Sequence, residues 1–403
     1  VNAPASAGAV LGEHARALVP VLRDRAAHTE ELRMLPPETV AEFQAAGFFR
    51  ALQPRRHGGL ELAPAAFFDA VMTLGTVCAS SAWVLSVLGV HSWHLGLFDR
   101  QAQDDVWAAD PRALICSSYA TAGEVKRADG GYVLTGTWPF SSGSDHCQWG
   151  FLGGIAPPEA GRPAAVGDDG RAWPDIRTFL VPMADCTLVD NWFVAGLSGS
   201  GSKQIRVEGA FVPEYRTHRF LDVRSGLSPG LEANPAALFR LPFGSMFCYA
   251  IAAPIIGTAR GMYESLVGAG REHARSAFDR GRPEDILLEL RIANTAAQLD
   301  ATTLQLRHNF AMMTESIERG DPISMDTRSR CRWDAAHAAQ VATECVDRVF
   351  GAAGGRAIFL SNPLQRAFRD AHAMRAHAFN NPDNAGQVMG RAELGLPNRE
   401  FLI

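Results

Sequence analysis

The sequence predicts an α+β fold in which two helical regions flank a central β region. Three observations carry this expectation. Apolar residues recur at helical spacing from about Gly12 to Asp110. Short alternating runs broken by Gly, Pro and Asp occupy Ala113 to about Arg219. Long amphipathic stretches return after Phe243 and continue to about Met389. The composition shifts place domain boundaries so that 1–112 is α-helical, 113–222 is β and 223–403 is a helical bundle.

In the first region Pro36-Pro37 opens a helix and Gly47 closes it, because proline's fixed φ suits a first helical turn and glycine suits the left-handed residue after the last. Pro64 opens another helix, and a long apolar stretch runs from Ser81 to Phe98. In the middle region Leu114–Ala120, Gly131–Trp138, Trp149–Gly154, Thr178–Val181 and Gln204–Val212 read as strands, and Pro157 to Pro174 reads as an exposed loop. The last region holds long helices at Met246–Phe278, Glu284–Arg319 and Met325–Phe350.

Composition narrows the function. The 403 residues are 47% hydrophobic and 20% charged with a formal charge of -5, and no basic stripe recommends nucleic acid or an anionic membrane as partner. Seven scattered cysteines include no Cys-x-x-Cys pair, so neither a disulfide framework nor a zinc knuckle is expected, and reduced thiols in the cytoplasm fit best. Val1 to Val10 does not read as a signal peptide. Met246 to Ile256, the most apolar window, is too short to span a bilayer and contains Pro254.

No Gly-x-Gly-x-x-Gly stands between a strand and a helix. Gly196 to Gly201 has spaced glycines but lies in the β region, where a turn bringing backbone N–H groups close to a ligand is the better reading. Gly130 to Gly143 begins with a Gly-Gly turn, alternates as a strand and ends with Ser141 and Ser142 beside aromatic rings. That arrangement suits a flat ligand needing stacking and edge hydrogen bonds, such as a flavin, and is also that of an ordinary hairpin arm. His91 and His94 share a helical face, either as core histidines bonded to carbonyls or as acid–base groups; a zinc pair lacks a third ligand. No Gly-x-Ser-x-Gly elbow supports a serine nucleophile.

Several motifs resemble the acyl-CoA dehydrogenase superfamily over nearly the whole chain: Pro54-Arg55-Arg56-His57-Gly58-Gly59, Gly136 to Gly143, Gly196 to Ser202 followed by Phe211-Val212-Pro213, Gly257-Thr258-Ala259-Arg260-Gly261 and Arg275-Ser276-Ala277-Phe278. The resemblance implies a helical domain, a β-barrel-like domain and a C-terminal four-helix bundle. Two departures argue against a dehydrogenase. His372 to Asn384 contains no glutamate where the dehydrogenases carry their base, and Cys116-Ser117-Ser118-Tyr119-Ala120 replaces their Thr-Glu-Pro strand. The chain instead resembles the two-component flavin-dependent monooxygenase branch, through Ser81-Ala82-Trp83-Val84, Gly89 to Leu95, Ser117-Ser118-Tyr119, Phe140 to His146 and Arg369-Asp370-Ala371-His372.

The roles that follow are implied by that resemblance. Reduced flavin (FMNH2 or FADH2) from a separate NAD(P)H-flavin reductase reacts with O2 to a C4a-hydroperoxide that hydroxylates an aromatic ring. A phenolic steroid-type compound is the first substrate expectation, and an indole-containing polycycle or another phenol the second. His91 faces the substrate and takes the phenol proton, His372 stands over the flavin, and Ser142 holds the N5 proton. Trp83, Ser117, Ser118, Tyr119, Phe140 and Ser141 contact the flavin. Arg275 and Phe278 reach it across a subunit boundary in a homo-oligomer, the superfamily's usual state being a tetramer. No metal is expected. Rival readings are an acyl-CoA dehydrogenase with a displaced base and a non-catalytic flavin-binding member.

Overall fold

The computed structural model describes residues 6–158, 165–166, 170–279, 286–400 and 403, with the side chains of 165 and 273–279 outside the described set. Five helices come first: α1 (Ala7–Leu32), α2 (Pro37–Ala45), α3 (Pro64–Gly75), α4 (Ala79–Leu95) and α5 (Arg100–Trp107). Pro37 and Pro64 begin α2 and α3, and Gly47 follows α2 in the left-handed region at φ 80°. Every residue of α4 is buried, so it has no polar face and runs through the core as a central rod.

The middle of the chain supplies β1 (Ile115–Ser118), β2 (Gly123–Ala128), β3 (Gly131–Ser141), β4 (Trp149–Ala156), β5 (Ala165–Val166), β6 (Ala172–Trp173), β7 (Asp175–Pro182), β8 (Cys186–Val189), β9 (Lys203–Pro213) and β10 (Thr217–Arg219). Rather than closing into one barrel ladder, the described strands pair as two four-stranded sheets, ordered β1-β4-β7-β10 and β2-β3-β9-β8, with β5 and β6 as a separate pair. The sheets are tied face to face where Trp138 Nε1 of β3 donates to Gly153 O of β4 at 2.7 Å. Strands β2, β8 and β10 escape a period-2 reading for a common reason. Each offers little apolar alternation: β8 and β10 are only 4 and 3 residues long, and β2 is a polar strand at the end of its sheet. Only part of the Pro157 to Pro174 segment lies within the described residues, and there it includes β5 and β6.

The chain then turns through α6 (Phe220–Ser225) into α7 (Phe243–Asp279), α8 (Ile286–Glu318), α9 (Met325–Ala353), α10 (Pro363–Arg375) and α11 (Pro382–Glu393). Helices α7, α8 and α9 pack on one another, α10 packs on α7 and α9, and α7 also packs on α3 and α4. One hydrophobic core therefore runs from the N-terminal helices through the sheets to the bundle. Among the described residues no helix is long and apolar enough to cross a membrane, and all seven cysteines are free.

Candidate active site

Strand β3 is irregular just where its functional residues lie. Its register with β9 shifts between Trp138 and Ser141, and Phe140 within the irregularity takes a left-handed φ of 63° with its ring 70% exposed. The shift leaves Trp138 fully buried between the sheets and turns Ser141 and Ser142 inward. The tryptophan beside the serines is thus not the neighbour in sequence. Trp83 of α4 donates its Nε1–H to Ser142 Oγ at 2.9 Å. Ser142 Oγ also lies 2.7 Å from Ser202 Oγ, which lies 2.7 Å from Ser200 Oγ, and Ser200 in turn bonds Leu197 O at 2.7 Å.

Farther along α4 are His91 and His94. His91 Nδ1 stands 2.7 Å from Ile115 O, and a carbonyl only accepts, so Nδ1 carries the ring proton. Its Nε2 is consequently a bare lone pair, buried and, among the described residues, without a hydrogen-bond partner. Burial pushes the His91 pKa down to about 4, opposed by the Ile115 bond, so the imidazole is neutral near pH 7. His94 is committed elsewhere: Nδ1 meets Tyr119 OH at 2.9 Å and Nε2 meets His218 Nδ1 at 3.2 Å, while His218 Nε2 reaches Ser228 Oγ at 3.0 Å. Burial holds His94 well below its ordinary value and raises the Tyr119 phenol well above its own, so this chain is a neutral brace for Tyr119. The Tyr119 ring packs edge-on against His91 at 6.0 Å and against Phe247 at 5.2 Å.

The C-terminal segment supplies a third histidine. His377, just beyond α10, accepts the Phe379 N–H on Nδ1 at 3.2 Å, which leaves its proton on Nε2. Its ring lies 5.8 Å from Trp83 and 6.3 Å from Phe247. Burial, with Arg332 adding to it, lowers its pKa to about 4. An aromatic lining thus runs from Trp83 through His377, Phe247 and Tyr119 to His91. Along it stand two imidazoles of opposite tautomer: His91 at one end offers an acceptor, and His377 beside Trp83 offers a donor.

His372 is not among these groups. It falls on the outer side of α10, with Nε2 2.9 Å from Asp347 Oδ1 and side chains 42% and 51% exposed. The helix turns Asp370, Ala371 and Met374 inward instead. Asp370 accepts the Leu197 N–H at 2.7 Å, and Arg369 donates to Ala195 O at 2.6 Å. The two residues thereby clamp the turn that presents Ser200 and Ser202. The clamp explains Gly196, where a Cβ would lie 2.2 Å from Arg369 O. The close backbone approach that the sequence suggested is an approach to α10. Burial raises the Asp370 pKa to about 6, against the lowering effect of the Leu197 bond.

Of the residues read from the sequence, the structure brings Trp83 and Ser142 into direct contact and sets Tyr119 against His91. Ser118 and Ser141 are buried at the ends of β1 and β3, Ser117 is half-buried, and Phe140 stands at the surface with its ring edge-on to Trp192 at 6.1 Å. Arg275 and Phe278 lie on α7, with their side chains outside the described residues. Sequence reasoning missed His377, Asp370, Ser200 and Ser202. Asp370 had a signal in the helical wheel of α10, whose inward stripe excludes His372, whereas His377 lies beyond the helix and had none. These groups fit a flavin: Ser142 keeps spare acceptor capacity beside the fixed indole N–H of Trp83, between aromatic walls. Among the described residues no three His, Cys, Asp or Glu side chains are grouped to hold a metal ion.

Helices around paired sheets, with an aromatic site where the first helical region, the β region and the bundle meet, define a flavoprotein of the acyl-CoA dehydrogenase fold. The family model for the acyl-CoA dehydrogenase C-terminal domain matches residues 249–382. The chain is 40% identical, over 96% of its length and 95% of the relative's, to the flavin-dependent monooxygenase oxygenase subunit HsaA of Mycobacterium tuberculosis. It is 33% identical to the FADH2-dependent resorcinol hydroxylase oxygenase component of a Rhizobium strain, covering 93% and 92% of the two chains. The crystal structure of the M. tuberculosis HsaA monooxygenase superposes with a TM-score of 0.92 over 98% of this chain and 100% of that one. The chain belongs to the flavin-dependent monooxygenases of this superfamily, among their oxygenase subunits.

Proposed function

We propose that this enzyme hydroxylates a phenolic ring, with a polycyclic steroid-type phenol as the favoured substrate, using reduced flavin made by a separate reductase. The observation that carries this is the bare, buried Nε2 of His91. A buried acceptor without a partner costs about 1–3 kcal/mol, a cost removed when a ligand O–H donates to it. Burial makes the imidazole a weak base, but a phenolate formed beside it favours its protonated form, so proton transfer and charge pairing proceed together. Withdrawing the phenol proton enriches the ring carbon ortho to the oxygen. When bound, the reduced flavin would supply two electrons to O2, one oxygen atom of which goes to that carbon while the other leaves as water.

The other residues position and protect. Ser142 and Trp83 would hold the flavin edge, with Ser117, Ser118, Ser141 and Phe140 around the same site. His377, not His372, is the histidine that donates a hydrogen bond near the flavin. The aromatic lining excludes water, which would otherwise divert the oxygen to hydrogen peroxide. Arg275 and Phe278 are proposed to reach the flavin of a neighbouring subunit in a homotetramer working in the cytoplasm. Against the dehydrogenase reading stands the absence of any glutamate from His372 to Asn384.

The division of labour is tested by NADH consumption. The isolated chain should use NADH in the presence of flavin and a phenol only when a flavin reductase is added. Reduction of its flavin by NADH at a catalytic rate without a reductase would remove the two-component reading.

A further inference from the structure

We propose that Ser200 and Ser202 are positioning residues that fix Ser142 Oγ as a hydrogen-bond acceptor toward the site, and that this makes the site favour reduced over oxidised flavin. The inference rests on the reading that Ser142 faces the flavin. It adds to that reading which way the proton points, and which residues decide it.

The geometry leaves one arrangement. Three hydroxyls, Ser142, Ser202 and Ser200, make three short oxygen–oxygen contacts, each of 2.7 Å: Ser142 with Ser202, Ser202 with Ser200, and Ser200 with Leu197 O. Each contact needs a proton between its oxygens, and each serine has one to give. Leu197 O, which also accepts Ser200 N–H and Trp192 Nε1–H, can return none, so Ser200 must donate to it. Ser202 must then donate to Ser200, and Ser142 to Ser202. Trp83 Nε1–H occupies one of the two lone pairs on Ser142 Oγ. What Ser142 has left for a ligand is one lone pair and no proton. Ser200 and Ser202 are 0% and 4% exposed, so bulk water does not offer an alternative partner.

An acceptor with no proton to give distinguishes the two redox forms of a flavin at N5. Reduced flavin carries N5–H, which Ser142 can receive. Oxidised flavin presents a lone pair there, which meets another lone pair. The chain of serines thereby passes a constraint from the Leu197 carbonyl to the cofactor edge. It explains why three buried hydroxyls are strung together where one would serve to contact a ligand.

The test measures dissociation constants for FAD, oxidised and photoreduced under anaerobic conditions, together with the midpoint potential of the bound flavin. Ser200→Ala or Ser202→Ala releases the Ser142 proton toward the site. Each should tighten oxidised FAD about tenfold while leaving reduced FAD nearly unchanged, which lowers the bound potential by about 30 mV for a two-electron couple. Ser200→Thr, which restores the hydroxyl, should return both constants to wild type. Ser142→Ala should act on the other side, weakening reduced FAD. Ser202→Ala breaks a different contact of the same chain, so a folding defect at position 200 leaves the measurement intact; melting curves verify the fold of each variant. If Ser142→Ala weakens reduced FAD but neither Ser200→Ala nor Ser202→Ala changes the oxidised constant, the serine chain is structural and the proposal fails while the flavin site stands. If Ser142→Ala changes neither constant, Ser142 does not face the flavin, and both readings fall.

Discussion

At the scale of single residues, the account turns on two imidazoles whose backbone partners set opposite tautomers. His91 gives its Nδ1 proton to Ile115 O and keeps Nε2 bare, whereas His377 accepts Phe379 N–H and keeps its proton on Nε2. His91→Ala should slow hydroxylation about 10²–10⁴-fold, with the deficit shrinking as the pH approaches the phenol's own pKa near 10. In the wild type, burial brings the His91 pKa down to about 4, so the base is unprotonated above that pH. Hydroxylation should show no inflection near the ordinary histidine value. A rate that rises through pH 6.5 and loses that rise in His91→Ala would contradict this. The second contrast is between His377→Ala, which should increase hydrogen peroxide release relative to product, and His372→Ala, which should leave coupling within about twofold because its partner is Asp347 at the surface. The opposite pattern would restore His372 to the site. Peroxide yield per turnover decides between them.

At the scale of elements, α10 and the 195–202 turn act as one piece. Asp370 ionises at about pH 6 in the folded protein and near 3.8 when exposed, so the fold binds an extra proton between those values. The resulting stabilisation is fully present below about pH 4 and is lost as the pH rises through 6, a change of about 3 kcal/mol. Asp370→Asn keeps an oxygen for Leu197 N–H without the charge. It should flatten that part of the stability curve and leave the enzyme at least as stable at pH 7. Asp370→Ala strands a buried N–H and should cost about 1–3 kcal/mol. Melting temperatures from pH 4 to 7 read both, and an unchanged slope in Asp370→Asn would show that the carboxylate is not the titrating group.

The same elements show what a sequence discloses. The starts of α2 and α3 were legible because proline marks them, and β3, β4 and β9 because their alternation is apolar enough to register. β2 was not, since an edge strand reading Gly-Glu-Val-Lys-Arg-Ala carries almost no apolar signal. In the site, Ser142 and His91 could be singled out from motif and residue chemistry. The partner of Ser142 is 59 residues away on α4, and the serines that orient it stand on a separate turn, so no local pattern joins them. His372, the histidine that the motif singles out, lies at the surface for a simpler reason. The motif ends at His372, but the chain leaves α10 after Arg375 and only then turns a histidine inward.

At the scale of the whole molecule, the fold brings together groups that no single region supplies. The buried rod α4 carries Trp83, His91 and His94. The β region adds Tyr119 and Ser142, just beyond β1 and β3, and the C-terminal region adds Phe247 and His377. In the proposed reading, that convergence lets one site hold a flat cofactor at one end and a phenol at the other. The most direct measurement is a single turnover of the protein loaded anaerobically with reduced flavin and a phenol, then mixed with ¹⁸O₂ in the absence of reductase. The account predicts one labelled oxygen on the ring carbon ortho to the phenol oxygen, with a matching equivalent of oxidised flavin. Labelled hydrogen peroxide with unmodified phenol from every phenol tried, including polycyclic ones, would contradict it.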